Sequence, residues 1–174
     1  FLNILSDQKH DYEILEYEPG QYISLRQVES IGVLRTDLLD YCNQVYEFCS
    51  DFSFFSVRYL RSHGFVHMLD TLGFEDWFYA GILMLDERFS SQRMAGVRIL
   101  ACGKRKFTRS DILYNIVERY GAMETETFIG VLQTDYGIAI NRENIVQLLN
   151  ESMLYYDRIM DKAYLDYDQY FEEV

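Results

Sequence analysis

The sequence predicts a mainly α-helical chain with small β-hairpins, built from repeated short units and closed by one long C-terminal helix. Three observations carry that expectation. A Ser or Thr preceded by an apolar residue recurs ahead of aliphatic segments at three places. An alternating apolar and polar stretch with a glycine turn sits mid-chain. A stripe of apolar residues spaced three and four apart runs to the end with no Gly or Pro after Gly137.

Residues 1–21 form an acidic arm carrying Asp7, Asp11, Glu13, Glu16 and Glu18. In the first unit, residues 22–54, Ile23-Ser24 is followed by Val28. The Ser oxygen can accept an orphan N–H of a helix start, and the residue before it can staple onto the first turn. A break at Ile31-Gly32 precedes a helix with Leu38, Leu39, Cys42 and Val45, for which Thr36 is the candidate cap. Val45 to Ser56 has strand character.

The second unit, residues 55–106, repeats the start as Phe55-Ser56 with Leu60. It breaks from His63 to Gly73 and continues into a helix with Trp77, Phe78, Ile82 and Leu83. Phe89 to Phe107 reads as a hairpin, because Val97, Ile99 and Ala101 alternate with Arg98, Leu100 and Cys102, and Gly103 supports a turn. The third unit, residues 107–142, starts at Phe107-Thr108 with Ile112, breaks at Tyr120-Gly121, and carries Phe128, Val131 and Leu132. Its only strand candidate is Tyr136 to Ile140, so a third hairpin is nearly absent.

Residues 143–174 complete the chain as an acidic helix. Asn141 or a neighbour caps it, and Val146, Leu149, Met153, Tyr156, Met160, Ala163, Tyr167 and Tyr170 form its stripe. Such a helix is on the order of 45 Å long. It serves either as a homodimerisation seam or as packing for the chain's own units.

Composition sets the class. With 174 residues, 49% hydrophobic and a single Pro, the chain can bury a large aromatic core without a metal or disulfide. Cys42, Cys49 and Cys102 are odd in number and show no CxxC spacing, which reads as reduced thiols in a cytoplasmic protein. The longest apolar run, Trp77 to Leu85, is half of what a membrane span needs. The first residue is Phe1 rather than Met, so the chain reads as a piece of a longer protein.

Net charge is −12, which opposes nucleic acid at long range. Its distribution is uneven. Arg88, Arg93, Arg98, Lys104, Arg105, Lys106 and Arg109 lie in a stretch from Arg88 to Ser110 with no Asp or Glu. Such a segment can bind an anion locally, or it can pair with surrounding carboxylates.

The stretches FFSVRYLRSHGF, WFYAGILML and RFSSQRMAGVRILACGKRKFT give residues 22–142 a resemblance to a tandem of winged-helix or helix-turn-helix modules. The resemblance implies a recognition helix in the major groove and a wing on the DNA backbone or minor groove. It departs from that pattern in the basic-poor segments Asp37 to Phe48 and Met123 to Leu132. The expected function is therefore double-stranded DNA binding, in transcription or replication. The expected contacts are Arg58, Arg61, Arg88, Arg93, Arg98, Lys104, Arg105, Lys106 and Arg109. The alternative is a protein-docking module on the same scaffold, favoured by the acidic, Tyr-rich ends.

Catalytic signatures are lacking. GKRK after Cys102 is not a phosphate loop, and GxSxG, HExxH and kinase motifs are missing. His63 and His67 have a metal-friendly spacing but no third ligand nearby. Glu75-Asp76 and Asp86-Glu87 flank an apolar helix and read as helix-end residues. No enzyme activity, cofactor or metal is expected.

Overall fold

The computed structural model describes residues 14–49 and 54–173. Asp7, Asp11 and Glu13 of the acidic arm lie outside the described residues. The chain divides into two compact units, Phe1–Ser91 with Leu100–Arg105, and Gln92–Ile99 with Lys106–Val174.

The first unit opens with β1 (Ile14–Glu18) and β2 (Gln21–Ser24), an antiparallel pair with Leu15 opposite Ile23. Then come α1 (Leu25–Ser30), α2 (Arg35–Phe48), α3 (Val57–Ser62), a 3-10 turn (Met68–Leu72) and α4 (Asp76–Leu83). Ser24 caps α1 in a reciprocal box with Gln27, and Ser56 accepts the Tyr59 N–H at 3.0 Å, so both caps stand where the sequence puts them. The α2 start differs. Asp37, not Thr36, holds it, accepting the Leu34 N–H at 2.8 Å. The expected strand from Val45 is helix as far as Phe48. Among the described residues of that segment, Phe55 alone pairs as strand, exchanging two hydrogen bonds with Leu100; residues 50–53 lie outside the described residues.

After Asp76 at its first position α4 carries no charged residue, and Phe78 to Leu83 are all buried. It packs against α2, α3 and β1. At Gly81 the β1 backbone lies directly on the helix, where any Cβ would fall on the Glu16 carbonyl. Tyr41, Phe65 and Tyr79 complete the aromatic core, with centroids 5.7 and 5.9 Å from Tyr41. β3 (Phe89–Met94) and β4 (Val97–Cys102) form a two-stranded sheet whose base belongs to this unit and whose turn belongs to the second.

Cys49, at the end of α2, and Cys102, at the end of β4, bring their sulfur atoms next to one another. Cys42 is free and buried, and burial first and Asp86 second push its thiol up to about 12.

The second unit runs α5 (Arg109–Tyr120), β5 (Met123–Glu124), α6 (Thr125–Tyr136), α7 (Arg142–Glu151), β6 (Tyr155–Asp157), β7 (Lys162–Tyr164) and α8 (Tyr167–Glu173). The sheet order is β5-β7-β6, all antiparallel. Thr108 caps α5 in a box with Asp111, and Asn141 accepts the Asn144 N–H at 2.9 Å to cap α7. Ile112, Leu113, Ile116, Phe128, Leu132, Ile145, Leu149 and Tyr164 fill the core.

These elements overturn the expected mainly α fold with a long C-terminal helix. Among the described residues helix makes up 51% and strand 19%, and the last helix is short. The helix capped by Asn141 stops at Glu151, and residues 155–164 form a β-hairpin instead. The homodimerisation seam expected on that helix falls with it. Tyr136 to Ile140 is no strand, since Tyr136 ends α6 and Gly137 takes a left-handed conformation as its C-cap. Among the described residues no helix is long and apolar enough to cross a membrane.

Candidate nucleic-acid interface

The nine cations singled out in the sequence divide between the units. Arg58, Arg61, Arg88, Lys104 and Arg105 belong to the first; Arg93, Arg98, Lys106 and Arg109 belong to the second. Arg61, Arg88 and Lys104 are neutralised locally. Arg61 binds Asp70 at 2.9 Å and also Asp76, and its guanidinium lies 4.6 Å over the Tyr79 ring. Arg88 holds Asp86 at 2.6 Å and the Asn43 carbonyl oxygen at 2.7 Å, and lies over Tyr46. Burial raises the Asp86 carboxyl, but the Arg88 hydrogen bonds outweigh it, and the net shift is downward. Lys104 meets Glu87 at 2.6 Å.

Both partner carboxylates, Asp86 and Glu87, stand immediately before the acid-free run. That is why the run looked unopposed. Arg98 is buried at 7% exposure and takes no part in an outward ridge. Arg58, Arg93, Arg105, Lys106 and Arg109 are exposed.

In the second unit a different surface gathers polar groups. α7 buries Ile145 and Leu149 and turns its other face to solvent. That face borders a cleft of ≈ 730 Å³ whose wall on α7 is Asn141, Asn144, Gln147, Leu148 and Glu151. Gln133 of α6, Arg109 at the start of α5, and Met94 and Ala95 at the β3–β4 turn close it. Arg109 Nε donates to the Arg93 backbone carbonyl at 3.2 Å, and both arginines are exposed. Gln147 Nε2 donates to Glu151 at 2.8 Å.

One carboxylate fixes the start of α7 against the C-terminal hairpin. Asp161 accepts from Thr125 Oγ1 at 2.7 Å, from Arg142 Nη2 at 2.6 Å, and from the Tyr156 hydroxyl. Burial acts to raise its pKa, but these three donors win and hold it below the ordinary range. Arg142 also binds Glu126 at 3.1 Å. Arg158 at the hairpin turn donates to the Asn150 carbonyl oxygen at 2.8 Å. Asn144, Gln147, Arg142 and Arg158 were missed in the sequence, because the residues holding them read as the polar flanks of one long helix. Asn and Gln three apart behind an Asn cap were the available signal.

The histidines do not converge. His67 is buried with Nε2 3.2 Å from Asp40 and Nδ1 accepting the Leu69 N–H, while His63 stacks on Tyr59. Among the described residues no group of three or more His, Cys, Asp or Glu side chains could hold a metal ion.

Comparison with protein families, with characterised proteins and with solved structures found no match.

Proposed function

We propose that the second unit is a winged-helix-like module that binds double-stranded DNA, with α7 entering the major groove, and that the chain is a non-enzymatic, cytoplasmic component of transcription or replication. The reading rests on one observation: α7 buries one face in the core and opens the other, with Asn144 and Gln147 lining a cleft that Arg109 closes, and with exposed Arg93 next in sequence to the cleft residue Met94. Helix, strand, two helices and hairpin, with the first strand beside the last, is the element order that this kind of module uses. Arg and Lys at the rim suit phosphates, and amides suit base edges, Asn and Gln above all suiting adenine. Fold alone does not specify a ligand, so the reading stands on the side chains.

The test is fluorescence anisotropy with labelled duplexes across a salt series. Affinity is expected to fall steeply with salt, and Arg93→Ala with Arg109→Ala to flatten the log–log slope by about two. Asn144→Ala or Gln147→Ala is expected to cost about 1–3 kcal/mol on a preferred sequence and little on random DNA. Failure to bind any duplex at low salt removes the reading.

A second reading belongs to the first unit. α4 is the last helix of that unit, but after Asp76 it is apolar and it is covered by β1, so it offers a groove no open face. We assign that unit to scaffolding or protein docking.

A further inference from the structure

The C-terminal hairpin and α8 carry a surface that the DNA reading does not use. Five rings adjoin one another there. Tyr155 lies 4.8 Å from Tyr167 and 4.9 Å from Tyr170, centroid to centroid; Tyr164 lies 5.4 Å from Tyr170; and Tyr167 lies 4.6 Å from Phe171. The inner rings, on β6 and β7, are tucked against α8. The outer two are open, Tyr167 at 52% and Phe171 at 63% exposure, four residues apart on one helix face. No residue of α8 is buried.

Carboxylates border this face. Asp166, Asp168 and Glu172 are exposed beside the outer rings. Asp157 joins the rings to the hairpin turn, since its carboxylate accepts the Ile159 and Met160 N–H groups at 2.7 and 3.0 Å and also the Tyr170 hydroxyl. The turn then exposes Ile159 and Met160. Lys162, the one cation on β7, is held by Glu173.

Aromatic faces ringed by acid attract guanidinium and ammonium groups twice over, through the ring quadrupole and through the carboxylates. They repel phosphate for the same reason. An open aromatic pair at helical spacing fits the apolar stripe of an amphipathic segment.

We propose that this face of the C-terminal hairpin and α8 docks a basic, amphipathic segment of a partner protein. Phe171 and Tyr167 supply the apolar anchor, and Asp168 and Glu172 select the charge. The inference is independent of DNA binding, because it involves no residue of α7 or the cleft.

The experiment titrates the full chain against a fluorescein-labelled peptide of about 15 residues with Arg and Leu at helical spacing, and against a second peptide with every Arg replaced by Gln. The Arg peptide is expected to bind, and the Gln peptide to bind about tenfold more weakly or worse. Phe171→Ser, and Asp168→Asn with Glu172→Gln, are each expected to weaken the Arg peptide about tenfold while the circular dichroism spectrum is unchanged. Three results overturn the proposal. One is no binding of the Arg peptide at low salt. Another is full binding by Phe171→Ser, which would leave only long-range charge. The third is a sedimenting dimer dissociated by Phe171→Ser, which would make a second copy the occupant.

Discussion

Ala95 stands in left-handed backbone at φ 44°, followed by Gly96 at φ 82°. Two successive positive φ values define the mirror-image turn that matches the twist of a two-residue hairpin. Glycine takes this conformation freely; an L residue with a Cβ does so at a cost of about 1–2 kcal/mol, least for Asn. Ala95→Asn is expected to stabilise the chain by about 0.5–1 kcal/mol, read as a rise of a few degrees in Tm. Local chemistry of this kind was the most legible layer of the sequence. Ser24, Ser56, Thr108 and Asn141 all cap helices where their oxygens and the following residues said they should. The cations were less legible, because a partner is a matter of where a neighbouring side chain turns. Arg88 and Lys104 lie in a run free of acid, but Asp86 and Glu87 fall just before it and turn back to meet them.

At the level of elements, two helical glycines make opposite predictions. Gly81 lets β1 lie on α4, and a Cβ there would strike the Glu16 carbonyl. Gly130 of α6 has open space around its missing Cβ. Gly81→Ala is expected to cost about 1–3 kcal/mol and to strip hydrogen-exchange protection from Ile14–Glu18. Gly130→Ala is expected to gain about 0.5–1 kcal/mol by lowering the entropy of the unfolded chain. Equal effects of the two substitutions would show that β1 does not rest on the helix. The same scale explains the C-terminal misreading. Met153, Tyr156, Met160 and Ala163 do fall three and four apart, and no Gly or Pro interrupts them. Yet Ser152 ends α7, the tyrosines favour strand, and Asp157 and Asp161 build the turn, with Asp161 itself at φ 54°. Aspartate did there what glycine usually does, and a search for Gly and Pro alone passes over it.

Across the whole molecule charge is the governing quantity. Carboxylates outnumber cations in each unit, and the net charge is −12. Self-repulsion of that size loosens the folded state and is screened by salt, while the exposed ion pairs that salt also weakens contribute little. Salt is therefore expected to raise Tm while, on the proposed DNA reading, it lowers affinity for a duplex, two slopes of opposite sign in one buffer series. A parallel fall of both would show that loss of binding follows loss of fold. The cleft was illegible in the sequence for a related reason. It is assembled from the β3–β4 turn, the first residue of α5, one side chain of α6 and the face of α7, and nothing in local spacing brings those four together.

The strand laid over α4 also bears on stoichiometry. On the proposed DNA reading, with that helix closed, a single protomer would bring one open reading helix to the duplex, enough for one half-site. A palindromic operator would need two chains, its half-sites spaced by about one turn of the duplex, 10–10.5 bp, or a multiple of it. A protected footprint from one bound chain should accordingly be short and lopsided.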